Sequence, residues 1–404
     1  MDGPASWTRL GVAVLLCTIG SVGLWSVVIV LPAVQAEFAV ARAEATLPYT
    51  LTTLGFGIGG IAIGRAADRF GIARPLLAAT FMLALGYAGS AQARSLWQFT
   101  LMQGALIGVG SAATFGPMIA DISKWFERRR GIAVAICSAG NYLAGAVWPP
   151  VIEHFVATAG WRQTHFGIGI FCLLTMPPLM LMMRRPAPLS AAAGTDTPGG
   201  ESGRPLGLPP AVLTALLCVA GVACCTAMAM PQVHIVAYCG DLGYGVARGA
   251  EMLALMLGLG IVSRVGSGFV ADRIGGLATL LLGSVLQGLA LVLYLCFRSL
   301  DSLFVISALF GLFQGGIVPS YPVIVREYFP ASEAGGRIGV VLFATLIGMA
   351  LGGWMSGEIF DLTGSYQAAF ANGVLWNVLN GGIVLFLLLR KQGSGSYRLG
   401  FAAR

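Results

Sequence analysis

GRAADRFG, residues 64–71, closes the almost wholly apolar run TLTTLGFGIGGIAIG (50–64). Arg65, Asp68 and Arg69 arrive within five residues, Arg74 follows, and nearly the same string, GFVADRIG, returns at 268–275. The chain around these two knots of charge is 57% hydrophobic and only 10% charged over 404 residues, with a mean hydropathy of +0.82. Soluble domains carry about 25% charged residues. A soluble protein of this size could not cover its surface with so little charge, so lipid is the solvent for much of it.

The net charge of +7 is carried by short basic clusters between apolar runs. That pattern fits loops at a membrane surface and argues against nucleic acid as a partner. The cysteines (Cys17, Cys137, Cys172, Cys218, Cys224, Cys225, Cys239, Cys296) lie in or beside apolar runs, without CxxC or Cys/His spacing. Neither a zinc site nor a disulfide framework is expected, and no cofactor is implied. The first apolar run is too long for a signal-peptide core of about 7–15 residues and reads as the first membrane span.

A span needs about 20 apolar residues. Charge clusters and Gly/Pro breaks divide the chain into twelve: 9–34, 45–67, 73–93, 96–124, 131–156, 162–183, 210–237, 246–271, 275–297, 300–326, 338–360 and 367–389. The fold expected is an all-α membrane protein of two six-helix halves. Its parts are an N-terminal bundle (1–184), a linker (185–209), a C-terminal bundle (210–391) and a tail (392–404). The linker, rich in Pro, Gly, Ser and Ala, cannot build a packed core.

The halves are repeats at one constant offset, 204 residues. Gly64, Asp68, Arg69 and Gly71 map to Gly268, Asp272, Arg273 and Gly275. Arg94-Ser95-Leu96 maps to Arg298-Ser299-Leu300, and Gly160, Gln163 and Phe166 to Gly364, Gln367 and Phe370. Duplicated membrane bundles are the architecture of secondary transporters. Lys and Arg crowd the loops on the side of the termini and linker. The opposite loops hold only Arg42, Arg94, Arg162, Arg248 and Arg298. Both termini are therefore expected in the cytoplasm, with a bacterial inner membrane as the expected location and a monomer as the expected state.

The loops at 64–71 and 268–275 resemble the signature G-x-x-x-D-R-x-G of the major facilitator superfamily, and the twelve spans, repeat and linker extend the resemblance over the whole chain. It implies that Asp68 faces the start of span 11, that Asp272 faces the start of span 5, and that Arg69 pairs with Asp121. Together with Arg273 these would latch the cytoplasmic side. Gly64 and Gly268 would allow close helix contact, and Gly71 and Gly275 a tight turn. SKWFERRRGIAVAICSAGNYLAG (123–145) and FAVARAEATLPYT (38–50) resemble the monocarboxylate transporters. A drug-antiporter span 5 would end in G-x-x-x-G-P. Here Gly140 is followed by Asn141 and the span runs on to Trp148-Pro149-Pro150.

Arg264 is the cation that fits no loop. It lies 8 residues before Asp272, so about 12 Å into a hydrocarbon core of about 30 Å. A charge there costs at least about 2.5–3.5 kcal/mol and needs a partner. Span 8 offers no acid within a turn of it. A substrate carboxylate held by the guanidinium fork supplies one, and the resemblance to monocarboxylate transporters and oxalate–formate exchangers implies an arginine in this span for that purpose. Three departures matter: Gly260 stands where the eukaryotic carriers have Asp, Leu31 where they have Lys, and span 11 lacks the second cation of the oxalate exchangers. The first two leave proton coupling open; the third favours a singly charged anion. Asn141, Tyr142, Gln314 and Tyr321 are further candidates for substrate contact, each with interhelical bonding or packing as the alternative. His154 and His165 are read in an outer loop and His234 at the outer end of span 7, without an assigned role. The function expected is a carrier of small organic anions of the monocarboxylate class, not an enzyme; the alternative is an exporter of hydrophobic drugs or metabolites.

Overall fold

The computed structural model describes residues 3–126, 129–184 and 205–401, with backbone alone at 130, 205, 331, 332 and 392–401. Most of the expected linker (185–204) and the last three residues of the expected tail lie outside the described residues. Twelve helical segments follow one another, and no strand occurs among the described residues. The N-terminal half holds α1 (Pro4–Phe38, bent at Ser21), α2 (Arg42–Phe70), α3 (Ala73–Ala91), α4 (Leu96–Ser123), α5 (Arg130–Ala159) and α6 (Trp161–Leu181). The C-terminal half holds α7 (Pro210–Asp241), α8 (Val246–Ile274), α9 (Gly276–Cys296), α10 (Leu300–Tyr328), α11 (Ala331–Thr363) and α12 (Tyr366–Phe401). Each expected span coincides with one of them. Eleven are long and apolar enough to cross a bilayer. The other, α3, has 19 residues, about 28 Å of helix, and occupies the third place in the row.

The repeated residues turn out to be the punctuation of the fold. Gly71 and Gly275 have φ of 75° and 85°, and Gly160 and Gly364 have φ of 81° and 64°; side chains other than hydrogen are strained there. Ser95 and Ser299 are N-caps, accepting hydrogen bonds from the backbone N–H of Gln98 and Ser302 at the start of α4 and α10. The repeat thus preserves where helices stop and start, while the lipid-facing residues between are free to differ.

The halves meet chiefly along two helix pairs, α2 against α11 and α5 against α8, with a smaller contact of α1 on α7. The α2–α11 seam runs from Ala43 against Gly357, through Thr50, whose hydroxyl donates to the Ala350 carbonyl at 3.3 Å, to Gly57 against Phe343. It stops there. A Cβ placed on Gly64, Gly268, Gly335, Gly336 or Gly339 would meet nothing within 4 Å. The close contact expected at Gly64 and Gly268 is therefore absent in this state, because the halves have parted at the end that carries the signature loops. The protein is open at that loop end and closed at the far end.

Candidate substrate site between the two halves

The site begins with Tyr142, on the face of α5 that crosses to the C-terminal half. Its ring fills the space above Gly260 of α8: a Cβ at Gly260 would lie 2.5 Å from Tyr142 Cε1. One turn further, Arg264 extends its guanidinium over the same ring, 4.9 Å from the centroid. This is a cation–π contact across the two halves. Gly145 and Gly258 bring the same helices together on the closed side, so Arg264 sits where the seam gives way to the open end. Arg264 is only partly buried, and among the described residues it has no acidic partner at ion-pair distance. Two sequence-predicted residues are thus brought together, and Tyr142 accounts for the vacancy at Gly260: the space a side chain would take is already filled by the facing half.

The other candidates are held elsewhere. Asn141 donates from Nδ2 to Ser21 Oγ at 3.2 Å, and its backbone carbonyl accepts from Trp25 Nε1 at 3.3 Å. It ties α5 to the bend of α1, beside the seam. Gln314 is wholly buried; its Oε1 accepts from Gln232 Nε2 at 2.6 Å, while its own Nε2 has no partner among the described residues. Tyr321, expected at the substrate, is also wholly buried and reaches Cys224 Sγ at 3.3 Å and Asn380 Oδ1 at 3.5 Å. Both lie inside the C-terminal bundle, because α10 turns these faces toward its own half.

At the loop end the expected partners are exchanged. Asp121 does not meet Arg69. Arg9 of α1 takes it, with Nε and Nη2 donating to the carboxylate at 2.9 and 3.1 Å while Nη2 also donates to the Met183 carbonyl at 3.1 Å. The Arg9 guanidinium lies 4.4 Å from the Trp125 ring. The pair is almost dry, so α1, α4 and α6 are locked together there. Arg69 instead stacks on Phe70 at 5.2 Å. Asp68 is exposed and bridges Lys124 at 3.8 Å within its own half, a contact worth little in water. Asp272 and Arg273 are exposed, and no bond from Asp68 or Asp272 crosses to the other half among the described residues. A cavity of about 890 Å³ within the N-terminal half is lined by Arg69, Arg74, Lys124 and Arg184 together with Asp68 and Asp121.

Sequence reasoning missed the far end. His165 was expected in a loop; it lies within α6, wholly buried, stacked on Phe99 at 5.6 Å. His234 is equally buried within α7 and joins a polar cluster around Arg42, Asp241, Asp361 and Tyr366. The available signal was Arg42, a lone cation at the start of span 2 with no acid at helical spacing to match its charge.

Two six-helix halves around a central arginine, parted at one end and sealed at the other, define a membrane carrier and no enzyme. The sequence profile of the Major Facilitator Superfamily matches residues 13–302 and 252–400. The chain belongs to that superfamily of transporters. It is 26% identical over 348 residues to the MFS transporter asaE of Aspergillus flavus, a match covering 84% of this chain and 76% of the relative. It is 26% identical over 339 residues to monocarboxylate transporter 13 of Rattus norvegicus, covering 81% and 76%. Among solved structures, a bacterial homologue of the human lysosomal transporter Spinster superposes with a TM-score of 0.69 at 14% identity, over 96% of both chains. The curated relatives are fungal and mammalian, so they lend no support to the expected bacterial inner membrane.

Proposed function

We propose that the protein carries small monocarboxylate anions by alternating access, with Arg264 as the residue that binds the carboxylate. The observation that carries this reading is a guanidinium at the vertex of the two halves with an aromatic neighbour and no protein anion. A bidentate carboxylate completes it, while Tyr142 presents a ring to the apolar part of the same small molecule. Among the described residues Arg264 is the one cation at the site, so a monoanion leaves it neutral and a dianion leaves a surplus charge between the halves. The resemblance of 123–145 and the kinship with monocarboxylate transporter 13 support the same class.

In the closed loop-end state, Asp68 and Asp272 engage the starts of α11 and α5, where helix amides attract carboxylates by about 0.3–1 kcal/mol. Arg69 and Arg273 serve the same latch, and the exchange of Asp68 onto Lys124 is its released form. The loop end, the linker and both termini face the cytoplasm, following the basic residues. With Gly260 filled by Tyr142, a co-transported proton travels on the substrate or binds away from α8.

The experiment is uptake into proteoliposomes of labelled monocarboxylates with and without an inward pH gradient, competed by uncharged hydrophobic compounds. Saturable uptake blocked by other monocarboxylates and not by the neutral compounds is expected. Movement of the hydrophobic compounds with no carboxylate uptake would instead establish the exporter reading.

A further inference from the structure

The start of α2 is only half capped from within, where Glu44 Oε2 accepts from the Ala41 N–H at 3.3 Å. Ala41 precedes it, and alanine offers no side-chain acceptor to the first amides. The acceptor comes from the other half: Asp361, at the end of α11, takes the N–H of Arg42 on Oδ1 at 2.9 Å and the N–H of Ala43 on Oδ2 at 2.7 Å. The Arg42 side chain then enters the C-terminal half. Its Nη1 donates to Tyr366 Oη at 2.6 Å, its Nη2 to Asp241 Oδ1 at 3.2 Å, and its guanidinium lies over Phe360 at 4.7 Å. Gly357 lets the backbones approach, since a Cβ there would lie 2.9 Å from Ala43 Cα. This arrangement closes the far end. It is one-sided: at the repeat offset Asp361 corresponds to Ala157 and Arg42 to Val246, so α8 has no matching acid to cap it.

Hydrogen-bond polarity fixes the protonation of the cluster. His234 Nε2 lies 2.8 Å from the Gly353 carbonyl, which can only accept, so Nε2 carries a proton. His234 Nδ1 lies 3.1 Å from Tyr366 Oη. That oxygen already accepts from Arg42, so its own proton is free to go to Nδ1, and the chain Arg42 to Tyr366 to His234 to Gly353 runs in one direction. A second proton on Nδ1 breaks it: Arg42 and His234 would both donate to one hydroxyl, the tyrosine proton would lose its acceptor, and a second cation would be added beside Arg42 at the wholly buried His234. The groups around His234 are Arg42 from α2, Asp361 from α11, Tyr366 from α12 and, on α7 itself, Tyr238 and Asp241. The two carboxylates are committed to α2 amides and to Arg42.

We propose that His234 makes this gate proton-sensitive: neutral, it completes the bonds that hold the far end shut, and protonated, it releases Arg42 and lets the halves part there. The proposal rests on the chain being a carrier whose halves separate at that end, and not on which substrate it carries. On the orientation inferred from the basic residues, acid outside opens the gate to the outside.

The test is the distance between spin labels at Gln92→Cys and Leu362→Cys, exposed far-end positions of opposite halves, in a Cys296→Ser background that removes the exposed native thiol. Purified full-length protein is measured without substrate between about pH 8 and about pH 4, a range that takes in buried as well as free histidines. In otherwise unaltered protein the long-distance population should rise several-fold on acidification. His234→Gln and Tyr366→Phe, which removes only the hydroxyl linking Arg42 to the imidazole, should each abolish the response, and Asp361→Asn should raise the long population at both pH values. No response in the otherwise unaltered protein, a response that survives in either of the first two variants, or an unchanged distance in Asp361→Asn would overturn the proposal. With no substrate present, an error in the monocarboxylate reading leaves these outcomes unaffected.

Discussion

Arg264→Gln should abolish specific binding of monocarboxylates while the protein still inserts and keeps its helices. Among the described residues the side chain has no acidic partner whose loss would unfold the bundle, and removing a midplane charge favours the bilayer. A charge-assisted hydrogen bond is worth about 1.5–3 kcal/mol, and a bidentate carboxylate makes two, so the loss in affinity is at least about a hundredfold. Arg264→Lys separates charge from geometry. It keeps the cation but not the planar fork, and it also weakens the stacking on Tyr142. Affinity should fall by about tenfold to a hundredfold, between wild type and the glutamine variant. Equilibrium binding of a labelled monocarboxylate to the three purified proteins checks the order.

The second large effect is a gain of pH dependence in Gly260→Asp. Residues 260 and 264 are one helical turn apart, within reach of each other on one face. An introduced carboxylate pairs with Arg264 when ionised and competes with the substrate for the guanidinium; protonated, it withdraws. Binding should therefore be weak at high pH and recover as pH falls through the titration of that carboxylate, a dependence the glycine protein lacks at this position. The Cβ would stand 2.5 Å from Tyr142 Cε1, so the ring must shift. In the double variant with Tyr142→Ala the steric conflict is relieved while the competition remains. Binding to Gly260→Asp that is as strong at high pH as in wild type would show that Arg264 is not where the anion sits.

The twelve helices were legible because lipid leaves a chain few choices: apolar runs must be helical, and charge, Gly and Pro mark where they end. The repeat was legible for a related reason. Its matches are turn and cap residues, Gly71 and Gly275, Ser95 and Ser299, Gly160 and Gly364, whose backbone demands do not change with lipid contact. Arg264 could be found because every other cation had a loop to sit in. Arg42 was visible as a lone cation, but its pairing with Asp361 was not, since the two are joined across 319 positions of sequence. Asp121 was matched to Arg69 instead of Arg9 for the same reason: the ion pair depends on how α1 leans on α4 in three dimensions. Tyr321 shows the complementary error. Position along a helix does not say which way the helix turns its polar residues. The open state was not readable either, because the same sequence supports both ends of the transport cycle and only contact at Gly57 against parting at Gly64 tells them apart.

The most direct test of carboxylate recognition at the vertex of the halves is competition between a small monocarboxylic acid and its methyl ester. The two have nearly the same shape and differ in charge. Both are titrated against a labelled monocarboxylate bound to the purified protein, in wild type and Arg264→Gln. The account predicts that the acid displaces the label from wild type, that the ester and a dicarboxylate of similar size do so poorly, and that Arg264→Gln binds none of them specifically. Displacement by the ester as strong as by the acid, or acid binding unchanged in Arg264→Gln, would contradict it.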